Sequence, residues 1–81
     1  MKITVKMFAS FREYTGMPQS LVEVEPGTTV GQLWETLVEA HPRLVPLSRS
    51  AGFALNGRYT RADDTLNEGD VVAFLPPVSG G

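Results

Sequence analysis

One segment limits what the rest of the chain can be. Along "EPGTTVGQLWETLVEAHP", the apolar residues Val30, Leu33, Trp34, Leu37 and Val38 recur at helical spacing and form one stripe. Thr29 followed by Gln32 fits a capping box, and His41-Pro42 closes the helix. Such a stripe is stable only when another element covers it. With 81 residues there is room for one domain with a modest core, so the cover must come from the segments on either side.

Those segments carry the period of strands. In "KITVKMF", Ile3, Val5 and Met7 point one way and Lys2, Thr4 and Lys6 the other, a half-buried strand that leaves Phe8 on the polar side. "ASFREYTG" allows one short helical turn, stopped by Gly16 and Pro18. "SLVEVE" alternates again, with Val22 and Val24 inward, so the first two strands form a hairpin across that turn. "FALNGRYT" reads as strand, Asn56-Gly57 turn, strand. "DVVAFLPP" is a last strand, apolar on both faces and ended by Pro76-Pro77. Residues 42–52, "PRLVPLSRSAG", are expected to be irregular. The helix is expected to pack on Ile3, Val5, Val22, Val24 and one face of the last strand. One helix on one face of a mixed sheet makes a two-layer α+β domain over residues 1–75, followed by a flexible tail over 76–81.

Composition removes several function classes. A formal net charge of −2, with seven scattered Lys and Arg, argues against nucleic acid or an anionic membrane as the main partner. No apolar run has the length of a membrane span or of a signal-peptide core, and with no cysteine the cytoplasm is the expected compartment. The lack of cysteine also excludes a thiolate nucleophile and thiolate-held zinc or iron–sulfur clusters. His41, the one histidine, sits where a cation favours a helix C-terminus and has no obvious catalytic partner. Gly31 admits an anion site at the helix start or ordinary capping, and the absence of a glycine-rich loop before it favours capping. "RADDTLNEGD" lacks calcium-loop spacing, so its carboxylates read as solvated, and no metal or bound cofactor is expected. Alone, the chain is a weak candidate for an enzyme.

The ending "FLPPVSGG" is the remaining feature. Two terminal glycines arise by chance in roughly one sequence in 200, so a frayed end is the plain reading of the pair alone. Pro76-Pro77 alters that reading, because they lift the chain off the sheet in a stiff extended form. From Pro76 to Gly81 the tail reaches roughly 20 Å. Without a Cβ, Gly80 and Gly81 can enter a channel too narrow for side chains. What arrives there is the α-carboxylate of Gly81, ionised at neutral pH with a pKa near about 3.5 and a poor electrophile. A partner must activate it, most simply as an acyl adenylate from ATP. The chain has no phosphate cradle of its own, so the ATP belongs to another protein.

"ALNGRYT…TLNEGDVVAFLPPVSGG", together with "MFASFRE", resembles the molybdopterin synthase small subunits, sulfur carriers with the ubiquitin-like β-grasp fold. The resemblance covers essentially the whole chain and is most specific at "PPVSGG". It implies that a ubiquitin-activating-type adenylyltransferase adenylates Gly81 and that a sulfur donor protein converts it to a thiocarboxylate. It also implies that Gly80 passes into the large subunit, in a heterotetramer of two small and two large subunits. There the sulfur goes to cyclic pyranopterin monophosphate to build molybdopterin, the dithiolene ligand of molybdenum. Phe8, Tyr59 and Leu75 match an apolar docking patch on the sheet face opposite the helix, continued by Pro76, Pro77 and Val78. The alternative is that the first three pack beneath the 42–52 loop. Other sulfur-carrier pathways (thiamin thiazole, tRNA thiolation, cysteine), a ubiquitin-like protein modifier and a non-covalent binding module are the rival readings. The middle stretch and the Pro-Pro-Val step favour molybdopterin.

Overall fold

A computed structural model describes residues 1–76, apart from the side chains of residues 9, 10, 14 and 47–50. The elements are β1 (Lys2–Met7), α1 (Ala9–Thr15), β2 (Gln19–Glu23), α2 (Val30–Ala40), a 3-10 helix (Pro42–Ser50), β3 (Gly52–Leu55), β4 (Arg58–Tyr59) and β5 (Val71–Leu75). The strands form one mixed sheet in the order β2-β1-β5-β3-β4. β1 and β5 pair in parallel and the other pairs are antiparallel. The expected α+β arrangement is therefore present.

The α2 helix forms as its pattern requires. The Thr29 side chain accepts from the Gln32 amide at 3.2 Å, and the Gln32 side chain accepts from the Thr29 amide at 2.9 Å, a complete capping box. His41 caps the other end, its N–H donating to the Leu37 carbonyl at 2.8 Å. Val30, Leu33, Trp34 and Leu37 are buried with Ile3, Val5, Val72 and Phe74 of the sheet, while Val22, Val24 and Val38 are half-buried at the margin.

Gly31 has a packing role. Its N–H donates to the Ala62 carbonyl at 2.8 Å, and a Cβ there would stand 3.0 Å from both the Cβ and the oxygen of Ala62. The loop after β4 lies directly on the helix start, which accounts for the glycine without an anion.

Two expectations need correction. The segment after β1 is a seven-residue helix and not a single turn; it ends at Gly16 in the left-handed conformation (φ +75°) and buries Phe11 fully. Residues 42–50 are a 3-10 helix and not irregular, because Pro42 starts a turn whose Leu44 drops fully into the core. The carboxylates of Asp63, Asp64 and Glu68 in the acidic loop are exposed, as expected, and the loop also holds itself by hydrogen bonds. Asp64 accepts hydrogen bonds from the Thr60 hydroxyl and the Arg61 amide, and Asp70 accepts from Asn56 Nδ2 (2.9 Å) and the Asn67 amide (2.7 Å). The Asn56-Gly57 turn is as expected, both residues having positive φ (52° and 85°).

Candidate functional site

The side of each β5 residue follows from its neighbour. Val72 and Phe74 are fully buried against the helix layer, so Val71, Ala73 and Leu75 face the opposite side. On β1, Ile3, Val5 and Met7 take the buried side. Phe8 follows with extended backbone (φ −121°, ψ 153°), so it continues the alternation outward before α1 begins. It is 43% exposed, and the Phe11 amide donates to its carbonyl at 3.0 Å, tying it to the first turn of α1.

The register sets which outward residues meet. Met7 pairs with Phe74, so Phe8 stands beside Leu75, and Leu75 in turn pairs with Gly52. The neighbouring row runs Gln19, Lys6, Ala73, Ala54, Tyr59 across the five strands. Phe8 and Leu75 are thus adjacent. Tyr59, 86% exposed, lies three strand spacings from β1, roughly 14 Å away. Between Leu75 and Tyr59 the face carries only Gly52, Ala54 and Ala73, a low floor. No outward residue of the sheet is buried, and the chain's two lysines, Lys2 and Lys6, both stand exposed on this face. Leu21, 66% exposed on β2, extends the apolar character and was legible in the alternation of its strand, though not singled out.

Pro76 follows Leu75 directly and is half-buried. The chain therefore leaves from the end of a middle strand, beside Phe8. Pro77, Val78, Gly80 and Gly81 lie outside the described residues. Among the described residues no group of three or more carboxylates or histidines could hold a metal, and no helix is long and apolar enough to cross a membrane.

Comparison with known proteins bears on this geometry. The model of the ThiS family matches residues 5–81. The molybdopterin synthase sulfur carrier subunit of Chlamydomonas reinhardtii is 39% identical over 83 residues, with all of both chains covered. The crystal structure of SAMP1 from Haloferax volcanii aligns at 32% identity with a TM-score of 0.83, again covering 100% of each chain. Two more distant structures share the fold. One is from the complex of subunits 1 and 2 of molybdopterin-converting factor from Helicobacter pylori (TM-score 0.70, 22% identity, all of both chains). The other is the ubiquitin of Caldiarchaeum subterraneum (TM-score 0.65, 21% identity, 100% of this chain and 98% of that one). The fold is thus the ubiquitin-like β-grasp, and the chain belongs to the ThiS family of sulfur carriers.

Proposed function

We propose that this chain is the sulfur-carrying small subunit of a molybdopterin synthase. The observation that carries the reading is the juxtaposition of Phe8 and Leu75 on an uncovered sheet face, where β5 hands the chain to Pro76. An apolar patch rooted at the base of the tail lets one docking event bind a partner and direct the tail into it. Phe8, Leu75 and Tyr59 make the contact, and Pro76, Pro77 and Val78 carry the chain across the rim. Gly80 passes the constriction. The H. pylori structure, a complex of two subunits with this fold in one of them, supports such an assembly.

The chemistry is carried by the Gly81 carboxyl. An oxygen of the carboxylate attacks the α-phosphorus of ATP in a ubiquitin-activating-type partner, releasing pyrophosphate and leaving an acyl adenylate. A persulfide sulfur on a donor protein then attacks the carbonyl carbon, and AMP leaves. Reductive cleavage of the acyl disulfide by a thiol returns the donor as a disulfide and leaves the thiocarboxylate. In the large subunit that sulfur attacks a side-chain carbon of cyclic pyranopterin monophosphate, forming a C–S bond as a C–O bond to that carbon breaks and the oxygen leaves. Hydrolysis of the resulting thioester restores the Gly81 carboxylate, and two carriers supply the two sulfurs of the dithiolene.

The likeness to SAMP1, by name a small archaeal modifier protein, favours a second reading in which the activated Gly81 is attacked by a lysine amine. Both readings share the adenylate. Reconstitution separates them: the chain is loaded by an activating enzyme, ATP and a sulfur donor, then mixed with a large subunit and cyclic pyranopterin monophosphate. Molybdopterin formation is the expected result, and lysine conjugates without molybdopterin would favour the modifier.

A further inference from the structure

The other side of the molecule has an open edge. β2 ends the sheet, and its five residues contrast with the two of β4 at the far edge. Met1 and Val24 exchange both of their backbone hydrogen bonds (2.8 and 2.9 Å), and this pairing alternates along the ladder with β1. The N–H and C=O groups of Leu21 and Glu23 therefore point away from β1. Among the described residues nothing pairs with them. Edge strands in stable proteins are usually blunted by Lys, Pro or a bulge. Within Gln19–Glu23 there is neither Lys nor Pro, and Leu21 stands 66% exposed.

Beside this edge runs an open groove of about 660 Å³ between β2 and α2. Its floor includes Val22, Leu33 and Leu37, and its rim carries Glu25, Glu35 and Glu39. No Lys, Arg or His lines it. Glu35 and Glu39 lie one helical turn apart, a like-charge pair that opposes helix stability. No ion pair with a described residue reaches any of the three rim carboxylates.

We propose that β2 and this groove receive an extended segment of a partner protein as a sixth strand, with alternating apolar residues and basic residues at its ends. The backbone of Leu21 and Glu23 supplies the ladder bonds. One set of the segment's side chains falls on Val22, Leu33 and Leu37, the other lies beside Leu21, and its basic ends meet Glu25, Glu35 and Glu39. The charge of the rim selects against acidic segments and against a second copy of this chain, whose own β2 ends in Glu23 and is followed by Glu25. The groove is distinct from the Phe8–Leu75 patch, so the proposal does not depend on sulfur transfer.

The test is backbone-amide NMR of the whole protein, titrated with a short synthetic peptide of alternating valine and threonine carrying an arginine pair at each end. Saturable shifts are expected at Leu21, Glu23, Leu33 and Leu37, weakening with added salt. Reversing the rim with Glu35→Arg and Glu39→Arg together should lower affinity by about tenfold or more, both side chains being exposed and outside the core. The same peptide with glutamates in place of its arginines should not bind the unaltered protein. Equal binding of the two peptides, or shifts confined to Phe8 and Leu75, would overturn the proposal. Concentration-dependent changes at Leu21 and Glu23 without peptide would overturn it in favour of self-association.

Discussion

The indole of Trp34 lies 5.0 Å from the ring of Phe74, at an interplanar angle of 48°. Phe53 meets Phe74 edge-on at 5.5 Å, and Phe11 lies 5.2 Å from Trp34 on the other side. This aromatic cluster fixes the phase of β5. With Phe74 held inward, Leu75 must face outward, next to Phe8. A core contact thereby sets the presentation of the proposed docking face.

Trp34→Ala should cost roughly 3–5 kcal/mol, because the ring is 5% exposed and its removal leaves a cavity among three aromatic neighbours. Nε1 is buried without a hydrogen-bond partner among the described residues. Trp34→Phe should therefore cost much less, since lost volume is offset by removing an N–H whose desolvation costs about 1–3 kcal/mol. Urea denaturation of both variants checks this. Equal losses would show that Nε1 is satisfied.

Phe8→Arg and Leu75→Arg should each weaken binding to a large subunit by about 2 kcal/mol or more while the free protein stays folded. Both residues belong to the outward set, although Leu75 is half-buried. Calorimetry giving the affinity of the unaltered protein for both would remove these residues from the interface. Unfolding of the free variants would assign them to the core.

The elements that were legible are those with a local signal. The stripe of α2, its Thr29–Gln32 box, the Asn56-Gly57 turn and the outward phase of Phe8 each follow from spacing within a few residues. Phe11, Leu44 and Leu66 were not legible as core, because none belongs to a segment long enough to show an apolar period. Their burial is set by how α1, the 3-10 helix and the 61–70 loop close the rim of the sheet. Gly31 is similar: only the arrival of Ala62, distant in sequence, shows why a side chain is excluded. The adjacency of Phe8 and Leu75 depends on the parallel pairing of the first and last strands, which no local pattern encodes.

Gly31→Ala tests that packing. Helix propensity alone would make the change stabilising by about 1 kcal/mol. A methyl group 3.0 Å from the Ala62 oxygen must push away the carbonyl that accepts from the residue 31 amide. Overpacking of this kind costs about 1–3 kcal/mol, so net destabilisation is expected in thermal unfolding. A rise in Tm would show that the 61–65 loop yields freely.

Asp64 gives the acid limb of stability a specific source. The Thr60 hydroxyl, then the Arg61 amide and the Arg61 charge, hold its carboxyl below the ordinary value of 3.8. A group with a depressed folded pKa stabilises the fold above its unfolded value, and that contribution is lost as pH falls through the folded value. Melting curves taken from about pH 5 down to about pH 2 should therefore fall more steeply for the unaltered protein than for Asp64→Asn. Parallel curves would assign the acid sensitivity to other carboxylates.

The central claim is that sulfur rides on the carboxyl of Gly81, and mass spectrometry of the C-terminal peptide from protein isolated from its native host tests it most directly. The expected result is replacement of one oxygen of Gly81 by sulfur. Deleting Gly81 should abolish that modification while leaving unfolding unchanged, because the deletion draws the carboxylate back by about 3.5 Å, beyond the tolerance of an aligned attack. Gly80→Trp should retain reach but block passage, so any loaded sulfur fails to transfer. A terminal carboxyl that keeps both oxygens in the presence of an active molybdopterin pathway, or that is found only in amide linkage to lysine, would contradict the account.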